Sequence, residues 1–385
     1  MKVFFSGTHR ERPPHDTLTA ITPLLPEFGV TRLADVTGLD VLGVPVVMSV
    51  RPLARTLSVS QGKGATLDLA RISAAMEAIE LDHAERSVPP AELHDVPADQ
   101  LVLPYPVLAL EQHAGSLLTE GTPLDWITAR RIGDDREVLV PRQAVRMGRD
   151  LRDGWRSYTL TASSNGLASG NTRPEAVVHA LYEVIERDAT SDLGSVPVRE
   201  RHYVDPATVD EPYCAELIDR IRSAGAWLEI VHAPSRFGVP AFACYLWHED
   251  AAAAMVVGSG AHGDAAVALS RAITEAAQSR LTFIAGTRDD IVASTYLPPD
   301  GFARPATPVQ ARPWAPAVYG TTASYATCAE EAAALAAAVA AHTGHEPMAV
   351  DLADRAEFAV VKVLCPGLTY AARHEIPRHE EVTAA

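Results

Sequence analysis

The stretch Ser169 to Ala189, SGNTRPEAVVHALYEVIERDA, gathers carboxylates in a pattern that could bind a cation. At about 100° per residue, Glu175, His179, Glu183, Glu186 and Arg187 fall within roughly 120° of one helix face, and Val177, Ala180, Leu181, Val184 and Ile185 take the other. SAAMEAIE repeats the stripe with Ser73, Glu77 and Glu80, and RAITEAAQSR lines up Arg271, Glu275 and Gln278. Like charges one turn apart, Glu77 with Glu80 and Glu183 with Glu186, repel unless a cation sits between them. Such carboxylates suit Mg2+, which takes few protein ligands and completes its shell with substrate phosphates. Arginines and the glycine-flanked Lys63 of SQGKG would serve the phosphates, so the faces suggest Mg-ATP. A P-loop is excluded, since Leu57 and Gly64 stand where Gly and Ser or Thr are required. Structural readings compete at two points: Thr172 to Glu175 has the form of a capping box, and Arg271 with Glu275 could be an intrahelical ion pair.

The elements that must carry these residues alternate. Strand patterns at Val46–Val50 and Thr56–Val59 lead through SQGKG to a helix from about Thr66 to Arg86. Strands near Glu137–Val140 and Ser157–Ala162 precede the acidic helix. AWLEIVHA, AFACYLWHE and AAAMVVGSG follow, with connections too short for crossover helices, which predicts an antiparallel meander. A helix from Ala265 to about Phe283, an irregular proline-rich segment, an Ala-rich helix capped by Gly344 and the buried strand FAVVKVLCPG complete an α+β order without a composition break. We expect one compound domain. Gly258, Gly260 and Gly263 form a G-x-G-x-x-G, but a meander precedes it where NAD binding needs a βαβ unit, so a tight turn into the next helix is the expectation.

With 385 residues, 47% hydrophobic and 21% charged, the chain can bury a large core, and a net charge of −16 argues against nucleic acid. No membrane span or signal peptide is expected, so the reading is cytoplasmic. Cys214, Cys244, Cys328 and Cys365 form no C-x-x-C and read as reduced thiols.

Taken together, SxGKG before SxxxExxE, then SNGLASGNTRPEAVVHALYEVIERDA, then RAITEAAQSR, resemble the YcaO family of ATP-dependent peptide-backbone-modifying enzymes, over about Ser58 to Pro366. The N-terminal SGTHRERPPHDTL and GVTRLADVTGLDVLGVPVVMSVRP resemble the subgroup that works with a TfuA-type partner in ribosomal peptide natural-product pathways. The resemblance implies a YcaO-type fold of mixed, largely antiparallel sheets with flanking helices forming an ATP and Mg2+ site. Residues 1–57 would be its N-terminal part, 58–371 the catalytic core and 372–385 a tail. It implies Glu77, Glu80, Glu183 and Glu186 as metal residues. Arg10, Thr17, Ser73, Asn171, Glu175, Arg187, Arg271 and Glu275, joined by Lys63 from the reading above, would be the nucleotide residues. Three positions depart from the family pattern: Leu81 replaces an arginine, Ala168 a serine and His179 a glutamine.

The implied reaction adds a nucleophile to a peptide amide; the resulting oxyanion takes the γ-phosphate of ATP and leaves as phosphate. Sulfide would give a thioamide, a thiol or hydroxyl an azoline, an amine an amidine. The sequence ends in IPRHEEVTAA, without the P-x-P-x-P of many azoline-forming members, and shows no fused leader-binding domain. The expectation is therefore thioamidation of a peptide with a TfuA-like or separate leader-recognition protein, by a homodimer. A scaffold that binds nucleotide without turnover is the alternative from another class.

Overall fold

The computed structural model describes residues 2–112, 115–148, 159–160, 162–251, 255–288, 290–291, 296, 305, 310–320 and 324–368. The expected tail at 372–385 and most of the proline-rich segment lie outside them, as does much of the strand expected at Ser157–Ala162, whose Leu160 bridges to Gln112.

Hairpin strands β1 (Val3–Phe5) and β2 (Thr8–Arg10) precede helix α1 (Pro14–Ile21). Strands β3 (Arg32–Asp35), β4 (Val46–Val50) and β5 (Val59–Lys63) form an antiparallel sheet that ends on β5, from which α2 (Leu67–Arg86) departs. Next come β6 (Leu93–Pro97), β7 (Pro123–Arg131), β8 (Glu137–Pro141) and β9 (Leu167–Gly170), followed by α3 (Arg173–Ser195). Strand β10 (His202–Val204) and helix α4 (Pro212–Ser223) open the expected meander, β11 (Trp227–His232), β12 (Ala241–Trp247) and β13 (Val256–Ala261), which leads into α5 (Ala265–Ala285). Helices α6 (Pro316–Tyr319) and α7 (Cys328–Thr343) precede β14 (Met348–Asp354) and β15 (Ala359–Leu364), which join the middle strands in the order β6-β7-β14-β15-β9, with β8 on β7. Every pairing between these strands is antiparallel. No helix among the described residues is long and apolar enough to cross a membrane.

Three strand–helix units dominate: β5–α2, β9–α3 and β13–α5. Each strand is the edge of its own sheet. Each following helix starts on a side-chain cap, Thr66, Thr172 or Asp264, accepting a backbone N–H of the first turn. Each helix then folds back onto its strand at backbone contact, which glycine permits. A Cβ at Gly62 would lie 2.0 Å from Ala74 N, at Gly170 2.5 Å from Ala176 N, and at Gly258 2.1 Å from Ala276 N. Buried alanines meet them from the helix side, including Ala70, Ala74, Ala176, Ala272 and Ala276. The units also close a ring, because α2 packs on β9, α3 on β13 and α5 on β5.

Two expectations need correction. The strand expected at Thr56–Val59 lies later, at Val59–Lys63, paired with Val46–Val50. Thr56 belongs to a loop instead, since the buried Glu85 carboxylate accepts its N–H at 3.1 Å and its hydroxyl at 2.6 Å. Gly258 and Gly260 do not make a turn; they sit in β13 facing the α5 backbone, where Gly260 has Ala268 O 2.3 Å from the position of a Cβ. This antiparallel strand closes on its helix instead of opening a phosphate loop, so the G-x-G-x-x-G lacks the context of a dinucleotide site.

Candidate active site

The ring of three units encloses one side of a cavity of about 700 Å³, and residues 6–17 supply another wall. All thirteen candidate residues line it: Arg10, Thr17, Lys63, Ser73, Glu77, Glu80, Asn171, Glu175, Glu183, Glu186, Arg187, Arg271 and Glu275. Leu81, Ala168 and His179, the three departures from the family pattern, line it as well.

Glu80 and Glu186 are held by the strand of the next unit in the ring, and Glu77 by the strand of its own. Ser169 of β9 donates its N–H at 2.8 Å and its hydroxyl at 2.5 Å to Glu80 Oε1 on α2. In the same way Ser259 Oγ of β13 donates to Glu186 Oε1 on α3 at 2.6 Å, and Ala261 N to Oε2 at 3.0 Å. The Gln61 backbone N–H of β5 donates to Glu77. These bonds orient the carboxylates but supply no compensating cation. Burial pushes the Glu80 carboxyl up to about 8 against the pull of Ser169, with Glu77 and Glu183 adding to the rise. Burial likewise raises Glu77 to about 7, opposed by Arg288 and Lys63, and Glu183 to about 7, opposed by Arg187. Glu186, 5% exposed, is raised by burial and then by Glu275. Protons thus relieve the crowding that a divalent cation would relieve more strongly.

Glu275 behaves differently. Burial pushes it up, but Lys63, then Arg187 and Arg271, outweigh that, and its pKa is lowered. Lys63 Nζ lies 2.8 Å from Glu275 Oε2, so the intrahelical pair with Arg271 considered from sequence is not made. Arg271 points into the cavity region with no ion pair to any described residue, available for an anion.

The capping box at Thr172 is only half formed. Thr172 Oγ1 accepts the Glu175 N–H at 3.3 Å, but the Glu175 carboxylate turns the other way. It accepts Glu11 N at 2.8 Å and Asn171 Nδ2 at 3.0 and 3.1 Å, and lies 3.6 Å from Arg10 Nη1. Thr17 Oγ1 completes this network by donating to Asn171 Oδ1 at 2.7 Å. Arg10 Nη1 also meets the His179 ring, which burial, Arg10 and Arg271 hold well below its usual pKa. The His179 ring lies with Nδ1 3.2 Å from Ser169 O and 2.7 Å from Arg10 Nη1, and Nε2 meets the same guanidinium nitrogen. The N-terminal segment is therefore tied to α3 at its charged face, with Arg10 in the cavity wall.

Sequence reasoning missed the serines that hold Glu80 and Glu186. Their signal was present: Ser169 precedes Gly170 and Ser259 precedes Gly260, each at a strand that meets its helix at backbone distance.

The donor set fits magnesium with nucleotide. Among the described residues no three His, Cys, Asp or Glu side chains converge closely enough to hold a metal alone. A metal here would need phosphate oxygens to complete its shell, which is how Mg2+ is ordinarily held.

Residues 61–369 match the family model described as YcaO cyclodehydratase, ATP- and Mg2+-binding. The chain is 39% identical over 382 residues to an uncharacterised protein of Mycobacterium tuberculosis strain H37Rv, covering 94% of this chain and 83% of that one. It is also 39% identical over 295 residues to an uncharacterised protein of the tfuA 3' region of Rhizobium leguminosarum bv. trifolii, covering 74% and 69%. The structure of YcaO from Methanopyrus kandleri bound with AMPPCP and Mg2+ shares the fold at a TM-score of 0.73 and 22% identity, over 97% of this chain and 99% of that one. A heterocyclase in complex with substrate and cofactor shares it at a TM-score of 0.72 and 19% identity, over 96% of this chain and 54% of the other, so this chain spans about half of that protein. At such identities the two structures speak to the fold alone. With the family model spanning most of the chain and the carboxylate ring in place, the chain belongs to the YcaO family of ATP- and Mg2+-binding proteins.

Proposed function

We propose that this protein activates a peptide backbone amide by ATP- and Mg2+-dependent O-phosphorylation, and that with a TfuA-like partner it forms a thioamide. The observation that carries this reading is the meeting, in one cavity, of carboxyls raised to about 7 and 8 with Arg271, which forms no ion pair with a described residue. Glu77, Glu80, Glu183 and Glu186 would hold Mg2+, and Arg10, Lys63, Ser73, Arg187 and Arg271 would meet the nucleotide. Thr17, Asn171 and Glu175 are hydrogen-bonded in a chain that also takes Glu11 N and sets the Glu175 carboxylate 3.6 Å from Arg10, so their part is to orient that guanidinium. Glu275 does the same for Lys63.

When bound, Mg-ATP supplies a phosphoryl group that turns the amide oxygen into a leaving group, with charge offset by the metal. The protein's residues supply positioning. Fixed guanidinium forks bind oxygens in two directions at once, and carboxylates already oriented by strand N–H groups need no rearrangement.

The relative in the tfuA 3' region supports the partner assignment. Peptide, a TfuA-like or leader-recognition protein and a second copy of the chain are the partners included, in the cytoplasm. The test is the mass of a candidate peptide after incubation with ATP, Mg2+, sulfide and the partner. Exchange of oxygen for sulfur supports the thioamide; loss of water shows an azoline or amidine instead. ATP turnover indifferent to peptide, with no mass change, returns the chain to a scaffold.

A further inference from the structure

Lys362 is a buried cation to which the reading above gives no role, and its charge reaches Glu111 and Glu183. It lies in β15, where its neighbours on the same face, Val360 and Leu364, belong to the apolar core. Only 2% of Lys362 is exposed. An ammonium in such a place is strongly destabilising unless hydrogen-bonded. Here Nζ donates to Ser163 O at 2.7 Å and to Asn165 O at 2.6 Å. The next residue continues the grip, Val363 N donating to Gly166 O at 2.7 Å, while Leu167 N donates to Ser164 O at 2.8 Å. All four carbonyls of the turn 163–166 are thereby satisfied. Gly166 has φ +75 and would place a Cβ 2.4 Å from Val363 O, so the turn passes over β15 at backbone contact. From the outside, the Glu111 carboxylate accepts Ser163 Oγ and Asn165 Nδ2, each at 3.4 Å.

The held turn leads directly into the site. Ser164 lines the cavity, Leu167 of β9 pairs with Lys362 in register, and two residues later Ser169 orients Glu80. We propose that Lys362 is a positioning residue for Mg-nucleotide binding: its ammonium, cradled by the carbonyls of Ser163 and Asn165, fixes the turn that places Ser164 and Ser169 in the cavity wall. The inference rests on the nucleotide reading above.

The probe is AMPPCP with Mg2+, titrated calorimetrically into the full-length protein. Lys362→Met keeps the stem and removes the ammonium; it should fold and bind about tenfold more weakly. Lys362→Ala should be weakened similarly and return to within about twofold of wild type when n-propylammonium fills the vacated space, whereas 1-propanol should not restore it. Wild-type affinity in Lys362→Met, or equal rescue by propanol, would overturn the positioning role and leave a packing role. If neither variant folds at the assay temperature, Glu111→Gln loosens the same turn from outside; about threefold weaker binding supports the inference and unchanged binding overturns it. Failure of the wild type itself to bind the probe would instead overturn the nucleotide reading.

Discussion

Replacing Glu183 by glutamine should stabilise the metal-free protein and weaken its response to Mg-nucleotide. The Glu183 carboxyl is raised by burial from 4.5 to about 7. A carboxyl with a raised folded pKa contributes stability that is present below its unfolded value and lost as pH climbs through the folded one. Well above pH 7 that loss amounts to about 3 kcal/mol at full value, and to about half of it for a group facing a cavity that water enters. Glu183→Gln removes the titration while keeping shape, so at pH 8 without metal its melting temperature should rise by a few degrees. At pH 4.5 the two proteins should melt together. Adding Mg2+ and AMPPCP should reverse the order, because the wild type gains a ligand that the variant lacks. Thermal melts at both pH values, with and without Mg-nucleotide, give the four numbers needed. A variant less stable than wild type at pH 8 without metal, and equally stabilised by Mg-nucleotide, would refute the reasoning and make Glu183 an ordinary structural carboxylate.

Further outcomes follow from the same geometry. Because Glu77, Glu80 and Glu183 sit at about 7 to 8, metal-free stability should fall between pH 5 and 8 while Mg-nucleotide affinity rises and binding releases protons, read from calorimetry in buffers of different ionisation heat. Arg271→Lys keeps charge but loses the fork, and nucleotide affinity should drop about tenfold or more by the same titration, with the melting temperature little changed. Glu175→Ala strands Glu11 N and Asn171 Nδ2 and should cost about 1–3 kcal/mol in denaturant unfolding. Gly258→Ala puts a methyl group 2.1 Å from Ala276 N, backbone that cannot yield, and should cost about 3 kcal/mol or more. The purified chain should bind AMPPCP unaided yet modify peptide efficiently only with its partner, where positioning at the carbonyl lowers the barrier.

Much of the site was legible because helical periodicity is local: Glu77 with Glu80, and Glu183 with Glu186, must share a face once the helix forms. The meander was legible for the same reason, since its short connections forbid crossovers. What could not be read was the pairing between units. Nothing near Lys63 in sequence points to Glu275, and the half-formed capping box at Thr172 shows a local motif yielding to a distant partner, Glu11 N. Polar strands misled as well: Ser60, Gln61 and Gly62 lack strand propensity, yet they form β5 because they are buried and paired across β4. Nothing in the sequence around Lys362 marks its place, because its partners are backbone carbonyls, which sequence does not announce.

The most direct test of amide activation follows the oxygen itself. A candidate peptide carrying a heavy oxygen isotope at its backbone carbonyls would be incubated with the protein, its TfuA-like partner, ATP, Mg2+ and sulfide, and the released phosphate analysed by mass spectrometry. O-phosphorylation of the amide predicts that the label appears in phosphate as sulfur appears in the peptide. Label retained in the peptide while ATP is consumed would contradict it.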